Sequence, residues 1–503
     1  VSAEIKALEK LLSEGVSEFV VCGGARNAIL VAHLVSLDSV RVWRHFEERS
    51  AAFFALGRTK ETGQPCAVVT TSGTAVAECL PAVIEAHYSV KPLVIVSADR
   101  PENFRGSGAP QTIEQENIFT GYAQAENWNG WGPWHFNLPL EEGRAPVETP
   151  DLQPDAFLPE KLKFQVGDLV KFLDGGVFRG LIVMLGGLEP DEREDVYHFL
   201  RDLKVPVIAD ATSGLREALA ELVIDTVTDQ PGRVLRLGEV PVGRYWRDLE
   251  DLPEVEVLSV CRNGLPGLAR ESKVIHGEVA RVLRGFGEVE EVGDINDDFR
   301  TSRTRMARRG EILESYPDSE QGLLRTVSLF ATTGESLYLG NSLPIREWND
   351  VAQREVPYAI VRANRGANGI DGQVSTWLGA SADEKEAWGV FGDLTALYDL
   401  AAGAILSQVE QEGRVLVVIN NGGGRIFDRL PRLEGLDDSQ REAIVQSQEV
   451  NLAPWAEMWG MEYLKITCQE DFDHLEGGEK TLLVEIIPSE NQTKDLLKAL
   501  SAL

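Results

Sequence analysis

Short apolar runs alternate with stretches of helical periodicity from end to end of the chain. The runs are EFVVCGG, VRVWRHF, CAVVTTSG and PLVIVSADRP early, GLIVMLGG, VPVIAD and VEVLSVC in the middle, and SLYLGN, WGVFGD and RVLVVINN late. Strands apolar on both faces belong to parallel sheets covered by helices, so the pattern predicts an α/β fold. VSAEIKALEKLLSEG, residues 1–15, reads as an amphipathic, charged helix. Two stretches break the series and read as linkers: LPLEEGRAPVETPDLQPDAFLPE at 138–160 and the charge-rich DINDDFRTSRTRMARRGEILESYPDSEQ at 294–321. They predict three domains, at 1–143, 160–300 and 321–503, each a mainly parallel sheet covered by helices.

Composition adds exclusions. A formal net charge of -31 over 503 residues argues against nucleic acid or an anionic membrane surface as a partner, because both need a basic face. Any anionic substrate must then meet a local arginine cluster. Cys22, Cys66, Cys79, Cys261 and Cys468 are scattered without a CxxC pair and predict reduced, mostly buried thiols. No stretch approaches the roughly 18 uninterrupted apolar residues of a membrane span, and a cytoplasmic location is expected. The absence of an initiating Met suggests a trimmed or processed start.

GDLTALYDLAAGAILSQVEQEGRVLVVINN, residues 392–421, carries the clearest chemistry. As a βαβ unit it predicts strand WGVFGD, a helix over 395–410 and strand RVLVVINN. A helix of about 15 residues runs roughly 23 Å, which a strand of about seven residues retraces, so the two strand C-terminal ends meet. Asp393 and Asn421 become neighbours in the crevice where open α/β sheets bind ligands. A carboxylate, an amide oxygen and a backbone carbonyl from the following glycines are hard ligands suited to Mg²⁺ bridging to a pyrophosphate. Alone, Asp393 reads as a helix cap and Asn420–Asn421 as a turn; the pairing at this spacing favours the metal.

GD followed by NN after 28 positions resembles the thiamin-diphosphate motif. With HFEERSAAFFALGRTKETG, TSGTAVAECLPAVIEA, SADRPENFRGSGAPQTIEQ, GNSLPIR, RGANGIDGQVSTWLG and NNGGGRIFDRLP in order, the chain resembles the 2-succinyl-5-enolpyruvyl-6-hydroxy-3-cyclohexene-1-carboxylate synthase family of menaquinone and phylloquinone biosynthesis. The match covers most of the first and third segments; the middle one is similar only in style. The resemblance implies a thiamin-diphosphate-binding fold with a pyrimidine-binding first domain, a Rossmann-like central domain and a pyrophosphate-binding last domain. It implies thiamin diphosphate and Mg²⁺, for which Mn²⁺ can substitute, and a homodimer or homotetramer with active sites between subunits. The implied reaction decarboxylates 2-oxoglutarate and adds the succinyl carbanion to isochorismate in a Stetter-like 1,4-addition.

Residue by residue, the resemblance makes Glu48 the carboxylate beside the aminopyrimidine and Ile370 the apolar wedge that bends the cofactor. Gly392, Asp393, Leu394, Asn421, Gly423, Ile426 and Phe427 complete the cofactor site, with Asp393, Asn421 and Gly423 on the metal. Arg26, Arg100, Gln111, Ser342, Arg346, Arg365 and Leu430 match substrate-binding positions, and Arg244 in VGRYW is a further candidate. Two dianionic substrates need such guanidinium groups. Each residue has a plainer reading: Glu47 and Glu48 as first-turn glutamates favoured by the helix dipole, Ile370, Ile426, Phe427 and Leu430 as core, and any single arginine as an idle surface charge.

The sequence departs from the family in three places. Ala25 stands where a serine is usual, Pro110 replaces an asparagine and removes a backbone donor, and QAENWNGWGPW occupies the place of an expected helix closing the first domain. Either that helix is absent or residues are missing. Rival readings are another thiamin-dependent decarboxylase or carboligase, disfavoured by the arginine set, and a non-catalytic paralogue, disfavoured by retention of Glu48, Asp393 and Asn421. A nicotinamide dehydrogenase lacks its GxGxxG.

Overall fold

The computed structural model describes residues 2–144, 148–173, 180–287 and 297–503. Runs of β-branched and aliphatic residues form three sheets, every strand pair parallel. The first sheet holds β1 (Glu18–Val21), β2 (Arg41–Arg44), β3 (Cys66–Thr70), β4 (Leu93–Asp99) and β5 (Trp134–Pro139), in the order β2-β1-β3-β4-β5. The second holds β6 (Leu181–Leu185), β7 (Val207–Ala209), β8 (Arg233–Leu237), β9 (Glu256–Cys261) and β10 (Lys273–His276), in the order β10-β9-β8-β6-β7. The third has β11 (Ser336–Leu339), β12 (Val361–Arg362), β13 (Ala387–Gly392), β14 (Val415–Ile419), β15 (Glu462–Ile466) and β16 (Leu482–Ile486), in the order β12-β11-β13-β14-β16-β15. Every residue of β3, β4 and β14 is buried, as a strand covered on both faces requires. The fold is α/β.

By compactness the chain forms two units. One comprises Val1–Lys161, Gly366–Glu384 and Thr395–Gln411; the other comprises Leu162–Arg365, Lys385–Leu394 and Glu412–Leu503. The first unit thus takes in two pieces of the last third of the chain. Two glycines explain how helix Gln373–Ala380 is held there against helix Glu48–Thr62: a Cβ on Gly57 would lie 2.1 Å from the Thr376 carbonyl oxygen, and one on Gly379 would lie 2.0 Å from that of Phe54. Backbone meets backbone because neither residue has a side chain. The amphipathic N-terminal helix Ala3–Ser13 buries Leu8, Leu11 and Leu12 against Phe19, Val69, Val96 and Trp134.

Both predicted linkers are more ordered than their composition suggests. The charge-rich stretch forms helix Asp297–Glu314, whose Phe299 and Leu313 are buried. Its Ser302 hydroxyl accepts from the Asp225 and Thr226 N–H groups. Burying a few positions along one face suffices, and the remaining charges give the stretch its linker-like composition; residues 294–296 lie outside the described residues. In the other stretch, Leu138 and Pro139 end β5, Asp155 N–H donates to Leu12 O, and Glu160 N–H donates to Asn129 O. Residues 145–147 lie outside the described residues.

Where a closing helix was expected, residues 105–133 hold none. The segment is instead pinned by a ring stack in which Trp128 lies 5.4 Å from Trp134 and 5.7 Å from Phe157. The cysteines are free thiols, buried except for half-buried Cys468. Among the described residues no helix is long and apolar enough to cross a membrane.

His135 on β5 offers a stability test. Its Nε2 lies 2.7 Å from Ser97 Oγ in a buried site, and burial lowers its pKa to about 4. A base with a depressed folded pKa stabilises the fold above its unfolded value of 6.5 and loses that contribution as pH falls towards 4. The loss is on the order of 3 kcal/mol. The urea midpoint should fall as pH drops from 6.5 to 4, and His135→Gln should flatten that dependence. Equal pH slopes in parent and variant would refute it.

Candidate active site

β13 and β14 are adjacent and parallel, with Gly392 opposite Ile419, so Asp393 and the Asn420–Asn421 pair leave the sheet side by side. The intervening segment differs from the predicted 395–410 helix. An α-helical turn, Asp393–Tyr398, gives way to a 3₁₀ stretch, Leu400–Gln408. The break falls at buried Asp399, whose carboxylate accepts from Ser375 N–H at 2.7 Å, Ser375 Oγ at 2.9 Å and Ser50 Oγ at 3.2 Å. These bonds reward leaving the helix.

At the strand ends the two asparagines play different parts. Asn420 is spent on structure: its Nδ2 donates to Val450 O and Glu485 Oε1, and its Oδ1 accepts from Gln448. Asn421 donates Nδ2 to both Glu320 oxygens, at 3.1 and 3.2 Å, and its buried Oδ1 has no partner. Buried polar atoms are rarely left unpaired, so this oxygen is open to a water or an ion. Asp393 is buried and accepts from Leu394 N–H at 2.6 Å, Gly423 N–H at 2.7 Å and Gln448 Nε2 at 2.6 Å. Burial raises its pKa, and these donors oppose the rise. The Gly423 carbonyl accepts from Arg425 N–H and keeps a second lone pair. A carboxylate, an unpaired amide oxygen and a carbonyl fit a hard divalent cation.

The glycines here are structural requirements. Gly423 has φ 125°, and a Cβ there would lie 2.8 Å from Gln446 O, so the turn can only pass beside residues 445–446 as glycine. A Cβ on Gly392 would meet only Pro344, at 3.9 Å, which leaves room beside the strand end. Leu394, Ile426 and Leu430 are half-buried, while Phe427 is 38% exposed. Phe427 is therefore not core packing.

Behind Asn421 lies a buried carboxylate pair. Glu347 Oε1 accepts from Gln321 Nε2 and Arg429 Nη2, and Arg429 Nη2 stands 3.7 Å from Glu320 Oε2. Burial, then the neighbouring Glu320, pushes the Glu347 pKa well up.

Glu48 opens helix Glu48–Thr62 just after β2. Glu47, not Glu48, caps this helix, its carboxylate accepting from Arg49 N–H at 3.2 Å and Ser50 N–H at 2.8 Å. Capping thus falls to Glu47, while Glu48 is the acidic residue of the first turn and keeps its dipole reading as well. Burial raises the Glu48 pKa, against a hydrogen bond from its own N–H, with Glu47 and Glu78 adding to the rise. Ile370 is half-buried in the turn before helix Gln373–Ala380. Its loop is clamped by buried Glu85, which accepts from Gly366 N–H at 2.8 Å and Ala367 N–H at 2.7 Å.

The arginines separate into two groups. In the first unit, Arg26 is buried and donates to Leu140 O and Glu142 Oε1, each at 3.0 Å. Arg100 stacks 5.0 Å over Phe104, its Nε buried and unpartnered. Gln111, exposed with φ 57°, backs the Gly73 turn. In the second unit, Ser342 holds φ 73°, a left-handed strain of the kind stored at functional sites. Arg346 donates to its carbonyl at 2.5 Å, and Arg365 donates to Asn341 Oδ1 at 2.9 Å. Burial lowers the Arg346 pKa, and the positive charges of Arg365 and Arg247 lower it further. Positive charge gathered in this way favours a bound anion. Arg244, the further candidate, has a side chain 87% exposed and paired with Asp248; Arg247, exposed on the same short helix, lies near enough for its charge to act on Arg346. Sequence reading also missed Glu320, Gln448 and Glu85, which lie in no chemical motif; only their buried polar character, invisible in one sequence, marks them.

A family model described as the thiamine pyrophosphate enzyme N-terminal TPP binding domain matches residues 5–118. The chain is 46% identical to the 2-succinyl-5-enolpyruvyl-6-hydroxy-3-cyclohexene-1-carboxylate synthase of Akkermansia muciniphila, over 96% of this chain and 95% of that protein. It is 38% identical to the synthase of the same name from Bdellovibrio bacteriovorus, over 98% and 97%. Among solved structures, benzoylformate decarboxylase from Polynucleobacter necessarius superposes with a TM-score of 0.72 at 12% identity, over 97% of this chain and 98% of that one, which is a likeness of fold. The chain belongs to the 2-succinyl-5-enolpyruvyl-6-hydroxy-3-cyclohexene-1-carboxylate synthase family of thiamin-diphosphate-dependent enzymes.

Proposed function

We propose that the protein decarboxylates 2-oxoglutarate with thiamin diphosphate and Mg²⁺ and joins the succinyl unit to isochorismate, giving the product named in its family and CO₂. The observation that carries this reading is near-full-length identity to named synthases. The chemistry of the strand ends supports it. Asp393, Asn421 and Gly423 would hold the cation, with Gly392 and Leu394 beside the diphosphate. When bound, thiamin diphosphate supplies the electron sink for the carbanion left by decarboxylation.

The chain's own residues do the rest. Glu48 holds and returns the proton at N1′ of the aminopyrimidine, a role for which its raised pKa suits it. Ile370 would pack against the bound cofactor, and Ile426, Phe427 and Leu430 would keep water from it. Arg346 and Arg365, with Ser342, seat substrate carboxylates, as do Arg26, Arg100 and Gln111. We place the domains at 1–143, 160–300 and 321–503, in a cytoplasmic homodimer or homotetramer with active sites between subunits. The test mixes purified protein with thiamin diphosphate, Mg²⁺, 2-oxoglutarate and isochorismate, and follows isochorismate loss with CO₂ release. Equimolar consumption is expected; CO₂ release with isochorismate untouched would refute the synthase reading in favour of another carboligase.

A further inference from the structure

We infer that Glu320 is a positioning residue for the cation site: it fixes the Asn421 amide so that Oδ1, and not Nδ2, faces the metal. The inference rests on the reading of Asn421 as a metal ligand. An asparagine side chain is nearly symmetric in shape, and a half-turn about its last bond exchanges an acceptor for a donor. A donor facing a cation is repelled, so a ligating asparagine needs something to choose between the two states.

Glu320 supplies the choice. Its two oxygens lie 3.1 and 3.2 Å from Asn421 Nδ2, a forked contact that only an N–H group can satisfy. The flipped amide would set Oδ1 against a carboxylate. Glu320 itself is fixed: it is 3% exposed, opens helix Glu320–Phe330 behind the Ser319 cap, and its N–H donates to Thr493 Oγ1 at 3.0 Å. Arg429, bonded to Glu347, stands 3.7 Å from Glu320 Oε2, so the carboxylate also has a cationic neighbour. On the other side of the amide, Oδ1 is buried and unpaired. That combination, one end of the amide doubly engaged and the other empty, is what an oriented ligand requires, and groups that orient ligands typically matter about 10- to 100-fold in metal affinity.

The test is calorimetric titration of Mg²⁺ into metal-free protein with saturating thiamin diphosphate, run on five variants beside the parent. Asn421→Ala and Glu320→Ala should each weaken Mg²⁺ binding about 10- to 100-fold. Glu320→Gln keeps an acceptor oxygen and should stay within about fivefold of the parent. Asn421→Asp should bind weakly, because two buried carboxylates then face each other. Asn421→Asp combined with Glu320→Gln reverses donor and acceptor, and should recover at least about tenfold over Asn421→Asp alone if orientation is the role. A weakened Asn421→Ala beside a parental Glu320→Ala overturns the proposal and spares the metal reading. A parental Asn421→Ala overturns both. A double variant no better than Asn421→Asp overturns the positioning role, even where Glu320→Ala fails to fold.

Discussion

Glu48→Gln should bind thiamin diphosphate within about threefold of the parent while kcat falls about 1,000-fold, the middle of the range for loss of a positioned acid–base group. The substitution keeps the size of the side chain and its hydrogen-bonding capacity, and removes only the ability to carry a proton. It leaves the helix start intact, because Glu47 makes the capping bonds to Arg49 and Ser50. The variant should therefore fold and melt as the parent does. A glutamate suits this position because burial makes its proton harder to lose, and Glu47 and Glu78 push the same way. Cofactor binding read by tryptophan quenching, beside the steady-state rate, separates the two effects. A parental kcat would remove Glu48 from the reaction; lost cofactor affinity with a proportionate rate would make it a binding group only.

Much of this was legible in the sequence because period and spacing are local quantities. Runs such as CAVVTTSG and RVLVVINN announce fully buried parallel strands, and β3 and β14 are those strands. The 28-residue spacing of Asp393 and Asn421 depends only on a crossover of fixed length, so their meeting followed even though the crossover is partly 3₁₀. What failed was long-range. Nothing in TWLG near residue 379 says that Gly379 packs against Phe54, more than 300 positions earlier, because the cause is the absence of a side chain on two separate helices. No motif marks Arg247, because only the fold brings its charge near Arg346. Helix Asp297–Glu314 has the composition of a linker because its sparse buried positions are swamped by charge. Likewise Glu320 and Gln448 touch Asn421 and Asp393 across distances in sequence at which a motif carries no information.

The second large effect is expected at Asp393. Asp393→Ala should weaken Mg²⁺-dependent thiamin diphosphate binding by about 100-fold or more, at or beyond the upper end of what losing a supporting group of a metal site costs. Two losses combine. The cation loses its one carboxylate among the three proposed ligands, and a divalent ion held only by an amide oxygen and a carbonyl is poorly neutralised. In addition, the Leu394 and Gly423 N–H groups and Gln448 Nε2 lose their shared acceptor, so the Gly423 turn loses the bond that ties it to the end of β13. Asp393→Asn separates these contributions. It restores bulk, but its amide nitrogen must face one of the three donors, so the turn is only partly repaired and the charge stays absent. Both variants should therefore bind the cofactor weakly, with Asp393→Asn closer to the parent in melting temperature than in affinity. Raising Mg²⁺ should recover part of the rate in each, since the lost ligand acts through occupancy and not through the proton chemistry of Glu48. A variant with a lowered melting temperature and parental cofactor affinity would show that Asp393 only braces the strand end. An Asp393→Ala rate that added Mg²⁺ cannot raise, despite full cofactor occupancy, would place its role in the chemistry itself.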